Sequence, residues 1–265
     1  MRKRLKDRLD RQRPALGTNV FSSDPAVVEI LALSGWDFAK VDMEHTTLSI
    51  GDVVNHVRAG HAMGIPVVAR VPWNDRSAIS RLMDAGVAGI QLPHFAEDAD
   101  ASIEAALTLR YPPAGVRPTC TGTRAAHYGR ADFAAYANTA DRDALCIALV
   151  EDVESLAHLE DALDKGRVDA VQAGPADLAT SLGRPGDLQH PEVLAAVESI
   201  MAIGRRKGIA TGVYVKGSTD LARWRRFEPE FVICSIDYRV LGNAYSALAA
   251  ELLDGAVQDA HGEAR

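Results

Sequence analysis

The stretch FAKVDMEHTTLSI, from Phe38 to Ile50, begins as a short apolar run and ends on acids and a histidine, directly before a polar turn. Short apolar runs bounded by turn residues are typical of strands buried in a parallel sheet. The stretch therefore predicts a buried strand that carries carboxylates and an imidazole at its end, with Glu44 and His45 as the last polar pair.

The same pattern, a run rich in Val and Ile followed by a longer segment with helical spacing, occurs seven more times along the chain. Eight strands that alternate with helices in about 250 residues are typical of a TIM barrel, an α/β fold with a closed sheet of parallel strands. Helix start and stop signals, such as Asn74 or Asp75 before and Gly86 after one helical segment, support the alternation. We expect one (β/α)8 barrel domain over residues 1–265, with strands at 15–21, 38–44, 66–71, 89–95, 145–151, 168–174, 209–215 and 231–237.

Composition and charge favour small-molecule chemistry. The sequence has 265 residues, of which 47% are hydrophobic and 25% charged, and its formal net charge is -7. The basic residues are scattered, so we expect no nucleic-acid and no membrane partner. No apolar run approaches the roughly 18 residues that span a bilayer. The charged segment MRKRLKDRLDRQRP lacks the apolar stretch of a signal peptide, so we expect a cytoplasmic protein.

Catalytic groups of TIM barrels lie at the carboxyl ends of the strands and in the loops that follow them. Polar residues gather at those positions in this chain, so we expect them to share one rim of the barrel. They are Asp42, Glu44, His45, Arg70, Glu151, Asp177, Tyr214, Lys216 and Asp237.

Glu151 and Asp177 follow two neighbouring strands, and two carboxylates in such positions can hold a hard divalent cation that keeps several waters. A cation with open coordination positions could chelate a 2-oxoacid. In the alternative interpretation, Glu151 caps the next helix and Asp177 lies in the first turn of another, where negative charge is favoured. Spacing alone leaves both interpretations open.

The segment AGPADL is a candidate for anion binding. Gly174 permits close backbone approach, and Pro175 suits a first helical position. The free amides of Ala176 and Asp177 would face an anion such as a substrate carboxylate. A Gly-Pro pair before a helix is also a common structural turn, so the motif is weak by itself.

Arg70 lies inside the apolar run PVVARV, and a buried guanidinium requires an anionic partner. It can be a structural partner of Asp42 or Glu151, or it can stabilise a developing enolate oxygen. His45 beside a carboxylate suits a general base that works through a water near neutral pH, although a histidine at a strand end is often structural. Asp42 can instead pair with Lys40 or Arg70.

Seven segments, VDMEH, ARVPWND, LMDAGVAGIQLPH, YPPAGVR, LVEDVESL, DAVQAGPADLATSLG and HPEVLAAV, occur in the order that resembles the class II, metal-dependent pyruvate aldolases of the HpcH/HpaI aldolase and citrate lyase superfamily. The resemblance implies a TIM barrel and a lyase that forms the enolate of pyruvate and adds it reversibly to an aldehyde. In the reverse direction it would cleave 4-hydroxy-2-oxoacids. The resemblance also implies a hexamer, a dimer of trimers with exchanged C-terminal helices.

Matched by motif, the resemblance assigns Glu151 and Asp177 to a divalent Mg, Mn or Co ion, and the amides of Ala176 and Asp177 to the pyruvate carboxylate. One orienting aspartate would reach the site from a neighbouring subunit. The residues with implied catalytic roles are His45 as the base, Arg70 at the keto oxygen, and Asp42 and the neighbouring subunit's Asp84 as partners of the base.

Several positions depart from the family pattern or remain without a fixed role. Leu149 replaces a glutamine two residues before the metal glutamate, and Tyr214 replaces a leucine of the pyruvate methyl pocket. Tyr214 can act as an additional acid or fill a gap in the core. His94 can contact the aldehyde. Arg117 and Arg124, in a long irregular loop, can reach the distal end of the substrate or belong to a solvated basic loop.

Three rival functions stay open. A decarboxylase or other lyase of 2-oxodiacids such as oxaloacetate would use the same fold and metal. A Schiff-base aldolase could use Lys216, although such a lysine needs a desolvated pocket. A non-enzymatic binding barrel is disfavoured, because it would have no need for a base, an arginine and two carboxylates at one rim.

Overall fold

Eight parallel strands close into a barrel in chain order, as the sequence predicts. The computed structural model describes residues 5–9 and 13–262. Each strand pairs with its neighbours in the chain, and the last closes the barrel against the first. The strands are β1 (Ala15–Val20), β2 (Phe38–Asp42), β3 (Val67–Arg70), β4 (Gly89–Leu92), β5 (Leu145–Val150), β6 (Ala170–Ala173), β7 (Ala210–Val215) and β8 (Phe231–Ile236).

Helices follow the strands, and their apolar faces pack on the outward side chains of the barrel in one large core. The predicted boundaries of the fourth helix are confirmed: Asp75 accepts hydrogen bonds from the amides of Ser77 and Ala78, and Gly86 ends the helix with a φ of 93°. The helices are α1 (Lys6–Leu9), α2 (Ala26–Leu33), α3 (Ile50–Met63), α4 (Arg76–Ala85), α5 (Ala99–Leu107), α6 (Phe133–Asp143), α7 (Leu159–Gly166), α8 (Pro175–Ser181), α9 (Pro191–Lys207), α10 (Ser218–Trp224) and α11 (Asp237–Gly262).

The predicted strands were too long mainly at their carboxyl ends. The clearest case is β4, which ends at Leu92 rather than at the predicted Phe95. His94 and Ala96 adopt positive φ angles of 47° and 72°, which an extended strand does not contain. The chain therefore turns sharply here and aims His94 at the rim of the barrel.

An apolar layer fills the barrel interior near the amino-terminal ends of the strands. Gly17 and Gly212 make room for the rings of Phe38 and Phe231, since an added Cβ would lie 2.3 Å and 2.2 Å from a ring atom. Leu5, directly before α1, and Leu9 of α1 pack against this layer. Its other large members are Val68, Leu145, Ile147 and Ile233.

The next interior layer towards the carboxyl ends is polar. It contains Lys40 of β2, Gln91 of β4 and Gln172 of β6, which come from alternate strands, as side chains of one layer do in TIM barrels. All three side chains are buried. This layer forms the floor on which the polar rim residues stand.

The predicted irregular segment 111–133 has one short 3-10 turn at His127–Gly129 before α6 begins. No helix within the described ranges is both long and apolar enough to cross a membrane. Large apolar side chains of α11 are exposed, which fits the predicted exchange of this helix between subunits, and the exchange itself stays a prediction. These side chains are Tyr238, Val240, Leu241, Tyr245, Leu248, Leu252 and Leu253.

Candidate active site

Arg70 is held at the end of β3 by two acids from the neighbouring strand and its loop. Asp42 and Arg70 are register partners. Arg70 Nε donates to Asp42 Oδ2 at 2.7 Å, Nη2 donates to the same oxygen, and Nη1 lies 2.7 Å from Glu44 Oε2. Arg70 is 6% exposed and Asp42 is fully buried, so this is a desolvated, charge-assisted pair. The predicted pairing of Asp42 with Arg70 is confirmed, and the alternative pairing with Lys40 is wrong.

Asp42 also shapes the loop that carries His45. Its Oδ1 accepts hydrogen bonds from the backbone amides of Glu44 and His45, both at 3.0 Å. Burial opposes ionisation of Asp42, but the charges of Arg70 and Lys40 and the His45 amide outweigh it and lower the pKa of Asp42. Asp42 therefore positions His45 through the main chain.

His45 lies at the open mouth of the site with a largely exposed ring. Its Nε2 is 3.7 Å from Glu44 Oε2, so the acid that faces the imidazole is Glu44. Glu44 also approaches His94, whose Nε2 is 3.3 Å from Glu44 Oε1. Glu44 thus lies close to the Arg70 guanidinium and to the imidazoles of both His45 and His94. The sequence interpretation gave Glu44 no role of its own, although its place directly before His45 was a signal.

Glu151 and Asp177 place two carboxylates in the wall of the cavity that Arg70 also lines. Glu151 follows β5 and is 7% exposed, and Asp177 lies in the first turn of α8. Burial, and after it the negative charge of Asp177, raise the pKa of Glu151 to about 7, although Arg70 Nη1 at 4.0 Å opposes this shift. Ionisation of the buried Glu151 carboxyl group is therefore costly when no cation lies beside it.

This donor set fits a hard divalent cation. Two carboxylate oxygens from neighbouring elements, beside an open cavity, suit an ion that keeps water or substrate oxygens as further ligands. Within residues 5–9 and 13–262, no three or more His, Cys, Asp and Glu side chains converge as a closed metal site requires. The helix-cap alternative is wrong for Glu151, because Asp152 accepts from the Glu154 amide at the start of that turn. Glu151 instead accepts from the His94 amide.

The turn between β6 and α8 approaches Glu151 closely. A Cβ added to Gly174 would lie 2.8 Å from Glu151 Cγ, so only glycine fits without displacing the carboxylate. Pro175 occupies the first turn of α8 as predicted. The amides of Ala176 and Asp177 belong to that first turn, where backbone N–H groups lack partners within the helix and can receive an anion.

These groups surround a cavity of about 170 Å³ at the carboxyl ends of the strands. The structure brings together most of the predicted site residues here, and it adds Asn19, Phe21, Lys40, Gln172 and Ile236. The predicted residues that line the cavity are His45, Arg70, Leu149, Glu151, Gly174, Pro175, Ala176, Asp177 and Tyr214.

Tyr214 and Leu149 give the cavity wall a mixed character. Leu149 is buried and apolar. The Tyr214 hydroxyl accepts a hydrogen bond from Arg239 Nη1 of α11 at 3.2 Å. Burial raises the pKa of Tyr214 more than Arg239 lowers it, so the hydroxyl stays protonated at neutral pH.

Three predicted residues lie together away from this cavity. Arg117 Nη2 donates to Asp84 at 2.6 Å, and the Arg117 guanidinium stacks 4.6 Å from the centre of the Tyr111 ring. Arg124 donates to the carbonyl of Ala85. Arg117 is 2% exposed, so its placement in a solvated basic loop is wrong. Asp84, Arg117 and Arg124 could therefore contact only a substrate bound in the site of a neighbouring subunit.

The polar floor is the part of the site that the sequence interpretation missed. Lys40 Nζ donates to Gln91 Oε1 at 2.7 Å, and Gln91 Nε2 donates to Gln172 Oε1 at 2.7 Å. Burial, and after it the charge of Arg70, lower the pKa of Lys40 to about 7. The available signal was a lysine in the middle of the apolar run FAKVD. Lys216, by contrast, is exposed after β7.

Comparisons with known proteins agree on one family. The family model for HpcH/HpaI aldolase/citrate lyase matches residues 16–244. A relative from Salmonella dublin, 4-hydroxy-2-oxo-heptane-1,7-dioate aldolase, is 32% identical over 253 residues, which are 94% of each chain. An HpcH/HpaI aldolase/citrate lyase family protein from Burkholderia cenocepacia J2315 superposes with a TM-score of 0.86 at 30% identity, covering 94% of this chain and 98% of its own. The HpcH/HpaI aldolase from Desulfitobacterium hafniense DCB-2 gives 0.85 at 25% identity, covering 94% and 96%.

Proposed function

The chain belongs to the HpcH/HpaI aldolase/citrate lyase family and is a carbon–carbon lyase; on this premise we propose that it uses a divalent metal to form the enolate of a pyruvate-type 2-oxoacid and adds that enolate reversibly to an aldehyde. In the reverse direction it cleaves 4-hydroxy-2-oxoacids. The observation that carries the proposal is the pair Glu151 and Asp177, which lies in one cavity with Arg70 and the first turn of α8.

Glu151 and Asp177 would hold the metal, for which Mg, Mn and Co are the candidates. When bound, such an ion supplies Lewis acidity that lowers the pKa of the protons on C3 of a 2-oxoacid. The amides of Ala176 and Asp177 bind the substrate carboxylate at the start of α8. This arrangement leaves the keto oxygen directed towards β3 and C3 directed towards the cavity.

Arg70 stabilises the negative charge that develops on the keto oxygen. Asp42 and Glu44 fix its guanidinium from one side, so its orientation is set before substrate arrives and costs no reorganisation in the transition state. A guanidinium has five N–H donors, so Arg70 retains donors for the enolate oxygen after these contacts.

His45 moves the proton. It lies at the mouth of the cavity, where it removes a C3 proton through a water during enolate formation. In the cleavage direction it accepts the proton of the C4 hydroxyl. Glu44, at 3.7 Å from Nε2, stabilises the imidazolium that forms in either direction.

We further propose that the site is completed by a neighbouring subunit in a hexamer. The exposed apolar side chains of α11 support an exchanged helix. Asp84, with Arg117 and Arg124 beside it, does not line the cavity of its own chain, which suits delivery to a neighbour. A cytoplasmic location and one domain over residues 1–265 remain part of the proposal.

Two rivals use the same barrel differently. A lyase or decarboxylase of 2-oxodiacids such as oxaloacetate would form the same enolate, and rates measured on both substrate classes separate it from the aldolase. A Schiff-base mechanism through Lys216 is disfavoured, because this lysine is exposed and lacks the desolvated surroundings that a nucleophilic amine needs.

The proposal is tested by cleavage of 4-hydroxy-2-oxoacids, with the released 2-oxoacid measured by a coupled dehydrogenase. We expect cleavage to stop with a chelator and to return with Mg, Mn or Co. Glu151→Gln should lose about 100-fold or more in rate, since it removes a ligand charge worth several kcal/mol. The matched control is Glu198→Gln, an exposed carboxylate on α9, which should keep the wild-type rate. Full cleavage in chelator, or by Glu151→Gln, would overturn the proposal.

A further inference from the structure

Lys40 is a buried amine without an acidic partner. It is 2% exposed, and its hydrogen-bond acceptor among the described residues is the neutral Oε1 of Gln91. The two acids that follow it in the chain, Asp42 and Glu44, form their ion pairs with Arg70 instead. A buried ammonium group is costly unless a negative charge lies beside it. Because Lys40 lines the cavity, a bound molecule can supply that charge.

Two amide groups of the cavity floor present donors to the same space. Asn19 is the register partner of Lys40, and Asn19 and Gln172 both line the cavity. The unpartnered Oδ1 of Asn19 is enclosed by protein, so Nδ2 is the atom that this amide leaves open. Gln172 uses its Oε1 to accept from Gln91, and its Nε2 has no acceptor among the described residues. The floor therefore presents three nitrogen donors to a ligand, those of Asn19, Lys40 and Gln172.

This set of donors selects the chemistry of the group that binds there. A methyl group leaves all of the donors unpaired. A hydroxyl or keto oxygen accepts hydrogen bonds but brings no charge to Lys40. A carboxylate has about four acceptor positions and supplies the missing negative charge, and hydrogen bonds between charged groups are the stronger kind. A carboxylate is also small enough for a cavity of about 170 Å³.

The position of the floor identifies the part of the substrate that it meets. In the proposed function, the first turn of α8 binds the C1 carboxylate and Arg70 faces the keto oxygen, so a substituent on C3 is left for the floor. We propose that Asn19, Lys40 and Gln172 bind a carboxylate on C3, so that the preferred enolate donor is a 2-oxodiacid such as oxaloacetate, with pyruvate as the poorer donor. This inference rests on the proposed function and specifies its donor.

The same contacts determine the fate of this carboxylate. Loss of CO2 would turn a charged group bound by Lys40 into a neutral one, so the floor stabilises the substrate more than the transition state of decarboxylation. Removal of a C3 proton keeps the carboxylate and its contacts. The C3–H bond therefore breaks, the proton passes to His45 through a water, the enolate carbon bonds to the aldehyde carbon, and the resulting alkoxide takes up a proton. A decarboxylase of 2-oxodiacids would instead lose the carboxylate.

Binding of malate and lactate tests the subsite without turnover, because these 2-hydroxy analogues of oxaloacetate and pyruvate neither form the enolate nor lose CO2. Titration calorimetry of magnesium-loaded protein, with both enantiomers of each acid, should give a dissociation constant at least about tenfold lower for malate than for lactate. Lys40→Met and Asn19→Asp should each lower this preference by about tenfold. Asn19→Asp hardly changes the size of the side chain, but it places a negative charge beside Lys40 and repels the carboxylate of the ligand.

Thr18→Val is the matched control. Thr18 is also buried on β1, but alternation along the strand directs it away from the cavity. This variant should keep the wild-type preference for malate. A thermal melt of each variant verifies folding, and the ratio of two dissociation constants does not depend on the fraction of protein that binds.

Release of CO2 from saturating oxaloacetate, corrected for the rate with free metal, tests the fate of the carboxylate. Wild-type protein should release CO2 at least about tenfold more slowly than Lys40→Met, because only the wild type stabilises the bound carboxylate. Release by the wild type at the rate of Lys40→Met, or faster, would overturn the retention of the carboxylate.

The remaining outcomes separate the subsite from the proposed function. A wild-type preference for malate of one or less, or a preference that Lys40→Met and Asn19→Asp leave unchanged, would overturn the subsite while the proposed function stands. No metal-dependent C3–H exchange of pyruvate would overturn the proposed function itself.

Discussion

Replacement of Asp42 by asparagine should detach Arg70 from the acid that positions it. One oxygen of Asp42 accepts from Nε and Nη2 of Arg70, and the other accepts from the amides of Glu44 and His45. Asparagine has a single oxygen. If that oxygen keeps the two backbone hydrogen bonds, the NH2 group faces two guanidinium donors at a fully buried position.

The magnitude follows from the loss of one partner in a buried ion pair, which costs about 3–5 kcal/mol. Glu44 Oε2 remains 2.7 Å from Nη1 and compensates in part, so we expect the lower end of this range. A loss of about 3 kcal/mol should lower the Tm by roughly 6–12 °C for a domain of this size. The displaced guanidinium should also lower kcat about 100-fold or more.

The pH dependence of this effect has a definite sign. The pKa of Asp42 in the folded protein is lower than its ordinary value of 3.8, so the stabilisation is complete above that value. It is lost as the pH falls through the lowered pKa, where the wild-type carboxyl group takes up a proton. The Tm difference between wild type and Asp42→Asn should therefore be larger at neutral pH than in acid below that lowered pKa.

Calorimetry across this pH range, together with the cleavage assay, checks both expectations. Asp161→Asn is the control, because it removes a solvent-exposed partner of Lys165 on α7 and such pairs contribute little. A variant Asp42→Asn that melts within about 2 °C of wild type would refute the reasoning, since a broken buried pair costs more than that.

Three further predictions concern the same site and the thiols. Gly174→Ala should weaken metal binding measured by titration calorimetry, because the added Cβ would lie 2.8 Å from Glu151 Cγ. Gly122→Ala is the control and should bind metal like the wild type, because open space surrounds Gly122. In metal-free protein, the free energy of unfolding measured in urea should fall as the pH rises from about 4.5 to about 7, because the folded state holds the Glu151 proton more tightly than the unfolded chain does. The affinity for metal should rise over the same range. Equal free energies of unfolding at both ends of the range would contradict the raised pKa of Glu151. Iodoacetamide should label the exposed Cys120 in the native protein, and it should label Cys146 only after the protein unfolds. Burial protects Cys146 and raises the pKa of its thiol to about 12. Labelling of Cys146 in the native protein, detected by mass spectrometry, would count against its burial.

The fold could be predicted because its signal is local. Each strand appears as a Val- and Ile-rich run of its own, and capping residues such as Asp75 and Gly86 mark the helices between them. The rim residues could also be predicted, because the end of a parallel strand fixes the side of the barrel on which a side chain such as Arg70 or Glu151 emerges.

The floor of the site could not be predicted in the same way. Lys40, Gln91 and Gln172 meet only because the strand register puts them into one interior layer, and sequence spacing does not reveal that register. The burial of Arg117 against Asp84 is likewise a long-range contact within an irregular segment. A charged residue in such a segment suggests solvent exposure, and packing against Tyr111 overrides that expectation.

Metal-dependent enolate formation is the central claim, and exchange of C3 protons with solvent measures it without the need to know the aldehyde. NMR in D2O should record exchange of pyruvate by the purified protein, loss of exchange after chelation, and its return with Mg, Mn or Co. Exchange that persists in chelator would contradict a metal held by Glu151 and Asp177, and no exchange under any condition would contradict the enolate itself.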